Sequence, residues 1–98
     1  MDNSMYLTCK VLDVFRTSIG TIAAIRPESD FPYLGMILRN SQNNEWRIKG
    51  MQMPREEFVD GKYQAFWDCV LEPINHEDPI KKGDVLLYKK EKLGNVSN

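Results

Sequence analysis

Several scarcities narrow the reading before any motif is considered. No run is apolar over the roughly 20 residues that a membrane-spanning helix needs, and Met1-Asp2-Asn3-Ser4-Met5 has no basic patch followed by an apolar stretch. Neither a bilayer span nor a secretory signal is therefore expected. Cysteine is sparse: Cys9 lies in Leu7-Thr8-Cys9 and Cys69 in Trp67-Asp68-Cys69-Val70-Leu71, and neither has metal-like or redox-like spacing. Both read as small hydrophobes, which suits a reducing cytoplasm. No charge sign dominates, because 13 Lys plus Arg stand against 14 Asp plus Glu. A protein devoted to blanketing phosphates would be strongly basic, so this balance argues against that class. Lys81, Lys82, Lys89, Lys90 and Lys92 make the last stretch locally basic, and it reads as a solvated edge and tail. A chain of 98 residues forms one domain, residues 1–98, with a modest core over about 6–90 and a polar tail at 91–98.

Catalytic signals are equally thin. The single histidine, His76, stands in a polar corner with Glu77 and Asp78, and neighbours on a loop seldom converge on one substrate atom. It reads as part of a solvated turn. Neither cysteine has a histidine near it in sequence, and Asp13 with Asp68 or Glu72 reads as scattered exterior acids rather than an acid/base pair. No enzyme activity, metal or cofactor is expected.

What the sequence does contain is a succession of short extended segments. Tyr6 to Arg16 is rich in β-branched and aromatic residues, and its alternation is disturbed at Leu12-Asp13-Val14, which predicts a bulge or an edge where a carboxylate reaches solvent. Ile19 to Ile25 follows, with Ala23 and Ala24 leaving room for bulky neighbours, and Pro27-Glu28-Ser29-Asp30 ends it. Tyr33 to Arg39 is extended, Asn40 to Asn44 is a polar loop, and Trp46 and Ile48 then alternate with Arg47 and Lys49 until Gly50 shifts the phase. Pro54 to Val59 suits one helical turn. Asp60-Gly61 is a turn signal launching Tyr63 to Ile74, and a Lys81-Lys82-Gly83-Asp84 turn precedes the closing segment Val85 to Tyr88. Six strands at this spacing predict an all-β sandwich or barrel, and the closing order of strand, polar corner, turn and strand looks like the end of a small six-stranded closed barrel.

The order of these pieces resembles domain 2 of the translational GTPases, the β-barrel that follows the G domain in elongation factor Tu and its relatives. Five segments carry the resemblance: Val11-Leu12-Asp13-Val14-Phe15, Gly20-Thr21-Ile22, Lys49-Gly50-Met51-Gln52-Met53, Cys69 to Ile74 and Ile80 to Leu86. It extends from about residue 7 to residue 90. In that family the barrel helps hold the aminoacylated end of tRNA. Asp13 and Phe15 match two residues of that pocket, whereas Gln52 replaces a Glu, Phe66 takes the place of an Asn, and Glu72 replaces an Arg. No phosphate-binding glycine loop is present, so the resemblance implies the scaffold without a GTPase. Unpaired buried polar groups cost roughly 1–3 kcal/mol each, and a pocket so altered would hold the tRNA end poorly.

Binding is then the expected class. The aromatics Trp46, Trp67, Phe31, Tyr33, Phe58, Tyr63, Phe66 and Tyr88 exceed what so small a barrel can bury. If Trp67 points inward, Phe66 points outward beside Asp68, as a protein-contact anchor or covered by the Pro54–Val59 segment. As an anchor, Phe66→Ala would weaken partner binding and leave folding intact. The candidate contact surface is Asp13, Phe15, Gln52, Phe66 and Asp68, and the expected partner is a protein, with the chain acting as an inhibitor, adaptor or bacterial immunity-type factor. The alternative is an RNA- or ribosome-associated module using Arg16, Arg47, Lys49 and Arg55 with Tyr33 or Trp46 as stacking groups.

Overall fold

Seven strands are joined by short turns and, at 28–36 and 74–84, by longer loops: β1 (Tyr6–Thr17), β2 (Gly20–Pro27), β3 (Ile37–Arg39), β4 (Glu45–Met51), β5 (Arg55–Val59), β6 (Lys62–Pro73) and β7 (Val85–Lys89). They come from a computed structural model that describes residues 6–29 and 31–89. The expected tail at 91–98, with Lys90 and Lys92, lies outside the described residues. All pairings are antiparallel, and the sheet order β2-β1-β7-β3-β4-β6-β5 with an added β2–β6 ladder closes six strands into a barrel. The expected all-β six-stranded closed barrel is present, and β5 is a seventh strand outside the ring.

That extra strand is a correction. Pro54 to Val59 forms no helical turn; Arg55–Val59 runs as β5 against β6. The cause is the two-residue connection that follows. Asp60 (φ 52°) and Gly61 (φ 80°) both take the left-handed conformation, which is the type I′ geometry whose twist matches two antiparallel strands. A single uncapped helical turn cannot compete with five ladder pairs nucleated by such a turn. The third strand is also shorter than its pattern predicts. Gly35 at φ 89° takes the chain out of extended conformation, so β3 starts only at Ile37.

Two single-residue irregularities decide which side chains face out. Between Val11↔Ile25 and Asp13↔Ala24 the register skips Leu12, and between Ile48↔Leu71 and Gly50↔Val70 it skips Lys49. Without the first bulge Asp13 would share the inward phase of Cys9 and Val11. With it Val14 takes the inward position and packs on the core, and Asp13 turns out. The core itself gathers Cys9, Val11, Ala23, Ile25, Leu38, Trp46, Ile48, Trp67, Cys69, Leu71, Leu86 and Tyr88 from the barrel strands, with Met36 and Ile80 added from loops. Both cysteines are free and buried. Among the described residues no helix is long and apolar enough to cross a membrane.

Candidate functional site

Direct cross-strand partners point to the same face of a sheet, so the register alone assembles an outer surface across β1, β2 and β6. Phe15 faces Ile22, which faces Val70. The next row is Asp13, Ala24 and Asp68. Phe66 follows Asp68 on the same face and pairs with Arg55 of β5. Phe15 is 47% exposed and Ile22 and Val70 are half-buried, giving an apolar row bordered by carboxylates. Val70 lies between two glycines: a Cβ on Gly20 or Gly50 would stand 3.7 or 3.5 Å from its methyl groups. The absence of side chains there leaves the valine accessible from both flanks.

Asp68 is 9% exposed, and a carboxyl group so placed requires a partner. Arg55 supplies it, with Nη2 at 2.8 Å from Oδ2 and 3.1 Å from Oδ1. The same guanidinium lies 4.8 Å from the centre of the Phe66 ring. Arg55 therefore joins the expected anchor Phe66 and its neighbour Asp68 into one unit through a charge-assisted bond and a cation–π contact. Phe66 is half-buried because of this lid, and the backbone of 54–59 lies beside it in the sheet rather than over it. Gln52 comes next to the same unit by its main chain, its N–H donating to the Asp68 carbonyl at 3.0 Å. Asp13 is engaged locally, its Oδ1 accepting the Val14 N–H at 2.9 Å. All five residues expected on the contact surface thus fall around one outer face, with the apolar row at its centre.

Replacing Arg55 with alanine is expected to lower stability by roughly 1–3 kcal/mol, because it leaves a nearly buried carboxylate without its donor. Asp68→Asn in the Arg55→Ala background should recover part of the loss. Urea unfolding of the single and double variants measures both; a change below about 0.5 kcal/mol in the single variant would reduce the pair to an ordinary surface contact.

The cationic set does not gather in this way. Arg47 and Lys49 both reach Glu72, at 3.8 and 3.7 Å, Arg55 is tied to Asp68, and Arg16 stands apart on β1 opposite Thr21. Trp46, considered as a stacking group, is 2% exposed and belongs to the core. Tyr33 is 42% exposed. The surface around these cations is of mixed sign.

His76 also differs from the solvated turn expected for it. Its Nδ1 accepts the Asp78 N–H at 3.0 Å, so the ring proton sits on Nε2, which donates to the Glu45 carbonyl at 2.9 Å. The ring packs edge-on to Trp46 with centroids 4.5 Å apart. It is a latch holding the 74–78 corner to β4. The sequence signal for it was the buried tryptophan's need for a covering group, which no local pattern identifies. A shallow polar depression lies between the Asn40–Asn44 loop and the segment leading into β7. Its carboxylates serve the fold, Asp78 accepting from Asn44 and Asp84 from the Lys81 amide. Among the described residues no three His, Cys, Asp or Glu side chains cluster as metal ligands.

Comparison with protein-family models, curated proteins and solved structures finds no match to this chain.

Proposed function

We propose that this barrel is a non-enzymatic protein-binding module of the inhibitor, immunity or adaptor type, built on a scaffold like translation-factor domain 2 and working in a reducing cytoplasm. The observation that carries the reading is the Phe15–Ile22–Val70 row, an apolar strip across three strands bordered by Asp13 and by the Phe66–Arg55–Asp68 unit. An apolar centre with an aromatic and an arginine at its rim has the composition of a protein interface. The dispersal of the cations, with Arg47 and Lys49 sharing Glu72 and Arg55 tied to Asp68, and the burial of Trp46 favour a protein over an RNA strand, since single-strand binding needs a basic groove with stacking aromatics on it. The two buried, unpaired thiols support the reducing compartment.

The test is a low-salt affinity purification of tagged protein from its native host, followed by a high-salt wash. One stoichiometric protein that survives the wash, and is lost from Phe15→Glu and Phe66→Ala variants of unchanged fold, is the expected result. The affinity loss should be at least about tenfold, or 1.4 kcal/mol. Nuclease-sensitive RNA that dissociates steeply with salt would overturn the reading in favour of the RNA- or ribosome-associated module.

A further inference from the structure

The longest strand serves two structures. β6 pairs with β2 from Trp67 to Leu71 and with β4 from Cys69 to Pro73, whereas its first five residues, Lys62 to Phe66, pair with β5 alone. Among the described residues β5 has no other neighbour, so β5 and the start of β6 form a two-stranded arm with an open edge along β5. The two-residue turn sets the polarity of that edge. Val59 and Lys62 close the hairpin, so Arg55, Glu57 and Val59 direct their N–H and C=O groups to β6, and Glu56 and Phe58 direct theirs outward. The Asp68 carbonyl, in the same phase of β6 as Lys62, Gln64 and Phe66, receives the Gln52 N–H from the β4–β5 side, which fixes this parity independently.

The side chains at the edge carry their own information. Phe58 is 62% exposed and Tyr63, directly opposite, 71% exposed, and their rings meet edge to face at 5.0 Å. Glu57 has a counter-charge in Arg26 at 3.4 Å, whereas Glu56 has none among the described residues. Full-length antiparallel pairing of β5 with a second copy would set Glu57 against Glu57 and Glu56 against Phe58. Like charges directly opposed are destabilising, so the edge discriminates against its own copy. A strand with an uncharged residue facing Glu57 avoids that repulsion, and a cation facing Glu56 gives this carboxylate a counter-charge.

We propose that the β5 edge receives an extended segment of a partner protein as an added strand. A lysine or arginine of that segment faces Glu56, and an apolar side chain lies on the Phe58–Tyr63 pair. Main-chain hydrogen bonds from Glu56 and Phe58 supply the docking, and the alternating side chains supply the selectivity. The arm presents the opposite sheet phase from the Phe15–Ile22–Val70 row, so this surface stands independently of the outer-face reading.

The test is amide NMR and hydrogen exchange of the full chain, titrated with a capped seven-residue peptide of threonines that carries one lysine and one valine two positions apart, so that both fall on the face shared by Glu56 and Phe58. The Glu56 and Phe58 amides are expected to shift and to exchange about tenfold more slowly, while those of Arg55 and Glu57, already bonded to β6, change little. Glu56→Lys should abolish the response to this peptide, and a peptide with glutamate in place of its lysine should restore it. Shifts confined to Phe15, Ile22 and Val70 would overturn the edge proposal and leave the outer-face reading standing. Protection of β5 that grows with protein concentration alone would overturn it in favour of self-pairing. The absence of any shift at millimolar peptide would overturn it as well, and the affinity purification separately decides whether the protein binds a protein partner at all.

Discussion

Replacing Trp46 with alanine is expected to cost about 3–5 kcal/mol, the range for removing a large aromatic from a packed core. Trp46 is 2% exposed, pairs with Leu38 on β3 and Pro73 on β6, and supports the His76 latch. Its removal therefore opens a cavity and loosens the corner that His76 ties to the Glu45 carbonyl. Domains of this size have only about 5–15 kcal/mol in total, so the variant should be unfolded or close to it at physiological temperature. Phe31→Ala provides the contrast. Phe31 touches Trp67 at 5.7 Å between ring centres but is 78% exposed, and its loss should cost less than about 1 kcal/mol. Urea midpoints for the two variants check both, and a shift below about 1 kcal/mol for Trp46→Ala would overturn the assignment of Trp46 as the keystone of that end.

The second large effect concerns the thiols. Burial pushes Cys9 from 9.0 up to about 12, with the nearby Cys69 adding to the rise, and burial together with the charge of Asp68 pushes Cys69 to about 12. At pH 8 this rise should make the thiolate fraction about a thousandfold lower in the folded chain than in the unfolded one, and alkylation, which proceeds through the thiolate, should slow accordingly. Iodoacetamide is expected to leave both cysteines unmodified in native buffer and to label both in urea; fast labelling in native buffer would contradict their burial. The same rise gives a pH dependence of stability. The fold holds the protonated thiol, so the contribution is fully present below pH 9 and is lost as pH rises from 9 through about 12, where the unfolded chain releases its protons first. Between pH 8 and pH 10 the thiols should lower the unfolding free energy by roughly 3 kcal/mol, and a Cys9→Ala, Cys69→Ala double variant should lose that component of the slope.

The barrel strands were legible because their cues are local. Alternation at Cys9 and Val11, the interruption at Leu12, the phase change at Gly50 and the Asp60-Gly61 turn each state a physical requirement that the structure meets in place. The fifth strand was not legible, because Glu56 and Glu57 carry no strand preference and only pairing with residues 62–66 makes that segment extended. The candidate face was legible in part. Phe66 and Asp68 follow from alternation about Trp67, but their link through Arg55 depends on cross-strand register. Ile22 and Val70 escaped notice for the same reason: neither is conspicuous alone, and only the ladder sets them beside Phe15.

Tyr6 and Lys89 are direct partners at the open end of the β1–β7 ladder. The described chain thus enters and leaves the barrel through one doorway, its two ends about 5 Å apart, the spacing of neighbouring strands. A barrel wired in this way can be spliced into a surface loop of a host protein with short joints and little disturbance to either fold. Reporter groups attached at Tyr6 and Lys89 would report on the same corner, so a distance measurement across the barrel has to place one label elsewhere, for which the tip at Asp60-Gly61 is the natural position.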